Sequence, residues 1–333
     1  MTIAPNTFTT FDDKRRREEF SDIISNISPE ETPFTTMIGK RKVKTTHPEW
    51  QNDALATPNP ANAVPQGDEY TYGAVVATVR LGTYTQIMRK EWIVSETEEV
   101  VDKAGMQSEL NRQRVKKGKE LKKDREAVLL LNQGSLAGNQ TTAPLMAGLP
   151  AWLKSGDNRG ATGADGGFNT GTGLVAAAAN GTQRAFTKPI MDDVFSKAYN
   201  NGADGRVLMV SPYVKTVFSS FMADPSVAPQ RMTTRDNRQA VIIGAADAYQ
   251  GDFGLYDVVP NRVMGTNATL ARNAFVLDPD SLALGTLRDI REDTPARTGD
   301  ATKKVLLWEG TLLVDNEAAI GVAADLFGLS ATT

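Results

Sequence analysis

The chain has 333 residues, a formal net charge of −3, no cysteine and a single histidine. Disulfides, thiolate metal sites, cysteine nucleophiles and sites built on several histidines are therefore excluded within one chain, and the commonest general base is nearly absent. The acidic balance confines any nucleic-acid role to a local surface, while a hydrophobic content of 40% supports a packed core in two or three lobes.

Residues 1–36 read as an arm. A polar lead precedes the charged cluster Asp12 to Glu19, and Phe20, Ile23, Ile24 and Ile27 follow at helical spacing. That pattern predicts a short helix in need of a partner. Lys14 to Arg17 offer a phosphate site, but acidic residues on both sides favour a local ion-pair cluster. The N-terminus lacks a basic-then-apolar signal pattern, and no window approaches the roughly 18 apolar residues of a membrane span, so an intracellular protein is expected.

Weak alternation over Lys42–His47 predicts a strand. Asp53–Tyr72, with Pro58, Pro60, Pro65 and Gly67, predicts a long loop, and Ala74–Ile87 predicts a second strand. Together they describe two long strands joined by a polar tip. Such a hairpin is marginal alone and gains stability by lying on another subunit. His47 sits before Pro48; with no second histidine and no cysteine it reads as an extended-strand residue rather than a ligand or base.

The next stretch, Glu96–Gln133, predicts one long helix. Ser95 or Thr97 caps it, Glu96, Glu98 and Glu99 suit its positive end, and Gly134 stops it. Its length would be roughly 57 Å if continuous, with Gly105 and Gly118 as weak points. Its apolar stripe is thin: Val101, Ala104, Val115, Leu121, Val128, Leu129 and Leu131. Between Glu109 and Glu126 it carries eight basic residues (Arg112, Arg114, Lys116, Lys117, Lys119, Lys122, Lys123 and Arg125) against four acidic ones. Two readings fit, a solvated face with intrahelical pairs or a surface for polyanions or acidic neighbours.

Ser135–Phe186 is rich in Gly, Ala, Thr and Asn. Gly160–Gly167 lacks a Gly-Lys-Ser/Thr ending and regularly spaced acidic ligands, so it reads as a surface loop. Leu145–Leu153 is an apolar patch expected to dock on the body. Residues 187–290 predict an α/β lobe. Thr187 caps a helix that ends at Gly202, Arg206–Val210 is a buried strand, and Ser211-Pro212 opens a second helix. Strands follow at Ala240–Ile243, Gly254–Pro260 and Ala274–Asp278. The chain closes with a polar loop, Arg291–Asp300, and a pair of strands, Lys303–Asn316 and Ala318–Leu326. Asp278–Asp325 has ten acidic and five basic residues, a complement to the basic helix. No hydrolase elbow, zincin, Walker A or dinucleotide fingerprint occurs.

Several stretches in this order resemble the major capsid proteins of tailed bacteriophages with the Hong Kong 97-like fold. Glu31-Thr32-Pro33-Phe34 with Met37-Ile38-Gly39, and His47-Pro48-Glu49-Trp50-Gln51, resemble the arm-to-body junction. Val64-Pro65-Gln66-Gly67 and the strand after it resemble the extended loop. The helix ending in Leu130-Leu131-Asn132-Gln133-Gly134 resembles the spine helix. Val207–Pro212, Asp252-Phe253-Gly254, Val258–Arg262 and Leu277-Asp278-Pro279 resemble the axial domain, and Glu309–Glu317 resembles strands returning to the peripheral domain.

The resemblance implies an α+β fold in five parts: N-terminal arm 1–42, extended β-hairpin loop 43–90, peripheral domain 91–186 with spine helix 96–133, axial domain 187–290, and return 291–333. It implies a non-enzymatic shell protein without cofactor or metal, located in the virion, that assembles with itself into pentamers and hexamers. Packaged double-stranded DNA would be held non-specifically, with separate scaffolding, portal and decoration proteins as further partners and no membrane. Phe20, Ile24, Pro58, Pro60, Pro65, Tyr70 and Tyr72 become candidates for contacts between subunits, and the eight basic helix residues for inner-surface or interface charge. No lysine–asparagine cross-link is assignable. The alternatives are an encapsulin-like shell and, in other classes, a nucleic-acid-binding helical protein or a carbohydrate-active enzyme using two carboxylates.

Overall fold

A computed structural model describes residues 31–101, 108–203, 207–221 and 247–332. Its first half contains helix α1 (Pro33–Met37), strands β1 (Gly39–Lys42), β2 (Glu49–Asn52), β3 (Val79–Gly82) and β4 (Gln86–Ser95), then helices α2 (Glu96–Val100), α3 (Glu109–Leu130) and α4 (Leu149–Trp152). After the short strands β5 (Asp157–Asn158), β6 (Gly167–Asn169) and β7 (Leu174–Ala176) come α5 (Lys188–Asn200), β8 (Val207–Val210) and α6 (Pro212–Ser220). The chain continues with β9 (Ala248–Gly251), β10 (Gly254–Pro260), α7 (Ala268–Ala271), β11 (Ala274–Leu277), β12 (Leu282–Asp293), β13 (Ala301–Val314) and β14 (Gly321–Ala323).

Period-two burial builds the first sheet, ordered β1-β12-β13-β4. On β4, Met88, Trp92 and Val94 are buried while Ile87 and Ile93 face outward. The buried row meets Leu306 and Trp308 of β13 and Leu121, Leu129 and Leu130 of α3 in one core. The second sheet runs β5-β14-β11-β8-β10-β9. Its central strand β11 is buried on both sides: Phe275 and Leu277 join the first core, and Ala274 and Val276 join a second. Helices α5 and α6 cover that second core through Val194, Phe195, Val214 and Phe218, and Phe195 stacks on Tyr256 at 4.0 Å. The caps expected there hold in position: Ser211 accepts a hydrogen bond from the Val214 amide, and Gly202 follows α5 with a φ of 80°.

Three expected elements are corrected. The long helix is not continuous. α2 ends at Val101, whose backbone is extended, and a new helix begins at Ser108, which caps it through the Asn111 amide. The Glu99 carboxylate accepts from the amides of Glu109 (3.1 Å) and Leu110 (3.4 Å). The acidic cluster thus caps the second helix instead of extending the first. The 22 residues of α3 span about 33 Å. Its end is Leu131, not Gly134. A Cβ at Gly134 would lie 2.8 Å from the Val175 carbonyl oxygen, so glycine there permits a close approach to β7.

The hairpin is shorter than predicted. β2 and β3 pair over four residues, and residues 53–78 between them form no strand. Val75 and Val76 have high β propensity but are exposed, with nothing in their own chain to pack on. The strand expected at Lys42–His47 ends at Lys42, after which Val43 is buried and the chain bends before Pro48. The closing strands do not pair with each other. β13 is 14 residues long and is flanked along its length by β12 and β4, whereas β14 joins the second sheet between β11 and β5. The strand expected at Ala240–Ile243 lies outside the described residues.

Candidate assembly surfaces

The segment 53–78 contains Leu55, Val64, Tyr70, Tyr72, Val75 and Val76, all exposed; Tyr70 is 86% and Tyr72 92% accessible. Pro58, Pro60 and Pro65 are exposed with them. Its root is firmly held: Trp50 of β2 packs against Trp152, with ring centroids 5.7 Å apart, and Trp152 stacks on Phe168. A rigid base therefore carries a long loop whose large apolar side chains find no partner in the same chain. Phe20 and Ile24 lie outside the described residues. His47 stacks on Tyr84 at 4.2 Å, a packing role.

The basic residues of α3 divide into two sets. Arg114 pairs with Glu292 of β12 (2.7 Å), Lys117 with Glu120 (2.8 Å), and Arg125 lies 5.3 Å over the Trp308 ring. Burial pushes the Arg125 guanidinium down from its ordinary value, against the pull of Glu126. These three bind the helix to its own sheet. At about 100° per residue, Arg112, Val115, Lys116, Lys119, Lys122 and Lys123 instead share about 120° of the helix surface. Arg112 is tied to Glu109 at 2.6 Å, while Lys116 and Lys122 are exposed.

Two buried carboxylates hold the framework, and sequence reading gave neither a role. Glu126 accepts from the amides of Phe34 (2.7 Å) and Thr35 (2.8 Å) at the start of α1, and from Asn261 Nδ2 (2.8 Å) after β10. It joins the arm's root, the long helix and the second sheet. Asp325 accepts from the amides of Gly160 (3.0 Å) and Gly181 (2.9 Å) and from Arg272 (2.5 Å). The glycine-rich segment is thus anchored rather than a free surface loop; Gly160 itself is buried. The only cue in the sequence was a lone acid within a basic or an apolar run.

A third cluster titrates. Asp157 of β5 contacts Arg159 (2.5 Å), which also reaches Asp165 (3.2 Å). Burial, then a hydrogen bond shared with Asp165, pushes Asp157 up to about 6 despite Arg159. Accepting that bond holds Asp165 below its ordinary value. Asp157 therefore binds its proton more tightly folded than unfolded, and the associated stability is lost as pH rises from about 4 through about 6. Asp157→Asn keeps a donor towards Asp165. It is expected to flatten the pH dependence of stability across that window and to raise the melting temperature at neutral pH, as measured by thermal unfolding at both ends.

Among the described residues no cluster of acidic or histidine side chains is placed to hold a metal, and no helix is long and apolar enough to cross a membrane. A strained catalytic constellation is not what these surfaces offer. They offer a rigid body with an unsatisfied apolar extension and a charged helix face, the makings of a self-assembling shell subunit.

Solved structures share this architecture. A chain from Gordonia phage Cozz superposes with a TM-score of 0.60 at 13% identity, over 97% of this chain and 96% of that one. A chain from the capsid of a native GTA particle gives 0.59 at 12% identity, over 95% and 97%. The fold is the Hong Kong 97-like fold of phage capsid proteins. At the level of sequence, a major capsid protein of Escherichia phage Phieco32 is 28% identical over 292 residues, covering 79% of this chain and 82% of that protein. The SU10 major capsid protein family profile matches residues 4–327, and the chain belongs to that family. It is a structural protein that forms the icosahedral capsid shell of a tailed phage and resides in the virion.

Proposed function

We propose that the subunits close into pentamers and hexamers around double-stranded DNA, which they hold without reading its sequence, and that loop 53–78 and arm 1–42 supply much of the stability between subunits. In this reading segments 91–186 and 291–333 form the peripheral domain and 187–290 the axial one, with separate scaffolding, portal and decoration proteins as partners.

The exposure of the loop's six large apolar side chains carries the reading. Each gains about 1.5–3 kcal/mol if fully buried, before the cost of ordering the loop. Small contacts of this kind become strong when repeated around a closed shell. Deleting residues 55–72 is expected to leave a soluble, folded chain that makes no closed shells in negative-stain micrographs. Normal shells from the deleted chain would refute the loop's role.

A further inference from the structure

The lysine face of α3 and the loop 53–78 are complementary in charge and in chemistry. The loop carries Asp53, Asp68 and Glu69 and has no lysine or arginine between residues 53 and 78. Beside the Asp68-Glu69 pair stand the exposed rings of Tyr70 and Tyr72. On α3, Lys116, Lys122 and Lys123 have no ion-pair partner among the described residues, in contrast to Arg114 and Lys117 on the far side of the same helix. Val115, 58% exposed, lies within this lysine face.

From these observations we infer that the Asp68–Tyr72 segment of one subunit docks on the Lys116–Lys123 face of α3 in a neighbouring subunit. The inference rests on the loop's proposed role between subunits. The dimensions agree. Eight helical residues rise about 12 Å, and five extended residues reach about 16–18 Å, so one segment can follow the whole face. The carboxylates meet ammonium groups, the tyrosine rings offer their faces to lysines, and Val115 supplies an apolar seat. The same lysines would otherwise serve packaged DNA, and the two occupants predict different results.

The full-length chain is assembled with Lys116→Glu/Lys123→Glu, with Asp68→Lys/Glu69→Lys, and with all four substitutions. Each double variant is expected to cut the yield of closed shells about tenfold, and the quadruple variant to restore it to within about twofold. Circular dichroism of the unassembled chains checks folding. If the glutamate pair misfolds, Lys116→Gln/Lys123→Gln serves instead, and assembly yield should then lose most of its salt dependence. Normal shells from the lysine variant overturn the inference, and normal shells that retain less DNA assign the face to nucleic acid. Failure of the quadruple variant to recover also overturns it. If residues 55–72 prove essential in that case, the loop docks between subunits at another surface; if they prove dispensable, the loop's role itself fails.

Discussion

Replacing Glu126 by alanine is expected to destabilise the unassembled subunit by about 3–5 kcal/mol. The side chain is fully buried and accepts three hydrogen bonds, from Phe34, Thr35 and Asn261. The two amides belong to the first turn of α1, where no intrahelical acceptor exists. Alanine leaves all three donors without an acceptor, and each costs about 1–3 kcal/mol when water cannot reach it. Folded domains are typically stable by only about 5–15 kcal/mol, so the loss is a large part of the total. Glutamine keeps one acceptor oxygen and is expected to cost roughly half as much. Denaturant unfolding of the two variants measures the difference. Hydrogen exchange at the Phe34 and Thr35 amides should accelerate in parallel, because α1 is fastened to α3 by this carboxylate. A loss below about 1 kcal/mol with alanine would mean that water or a rearranged side chain replaces the tie.

Most of the architecture was legible because it rests on local signals. Thr187, Pro189 and Gly202 bracket α5, and Ser211-Pro212 opens α6 as capping chemistry requires. The misread elements were decided by distant partners. Nothing local shows that Glu99 turns back to cap α3, or that Val75 and Val76 lack a surface within their own chain. β12 was read as a connection because its outer half, Arg288 to Asp293, is mostly charged; only its register with β13 makes it a strand. The basic helix was seen as a whole, but its division into a sheet-bound side and an open side depends on Glu292 and Trp308, more than 150 residues away in sequence. The loop's exposure was anticipated from its prolines and glycines. Glu126 and Asp325 were not, since a single acid in sequence carries no mark of burial.

Asp325→Ala is expected to be comparably severe, at about 3–5 kcal/mol, for a different combination of reasons. Asp325 is buried, and its backbone sits at a φ of 62°, a region that aspartate and asparagine tolerate better than alanine. Its carboxylate neutralises Arg272, whose side chain is only 15% exposed. Alanine would leave that guanidinium short of its counter-charge, with the Gly181 carbonyl (2.8 Å) as a remaining acceptor. It would also release the amides of Gly160 and Gly181. The backbone cannot easily close over the gap: a Cβ at Gly160 would come within 2.2 Å of the Thr182 carbonyl oxygen, so the strands of chain here already touch. Asparagine preserves the backbone preference and one acceptor but not the charge, and should cost about half as much. A double-mutant cycle with Arg272→Ala separates the causes. If the ion pair dominates, removing Arg272 first makes Asp325→Ala cheaper by more than about 1 kcal/mol. If backbone strain and the two glycine amides dominate, the cost of Asp325→Ala is unchanged in the Arg272→Ala background. Either way, the glycine-rich segment should become the first part of the subunit to exchange its amides, because Asp325 is what holds Gly160 and Gly181 to the end of the chain.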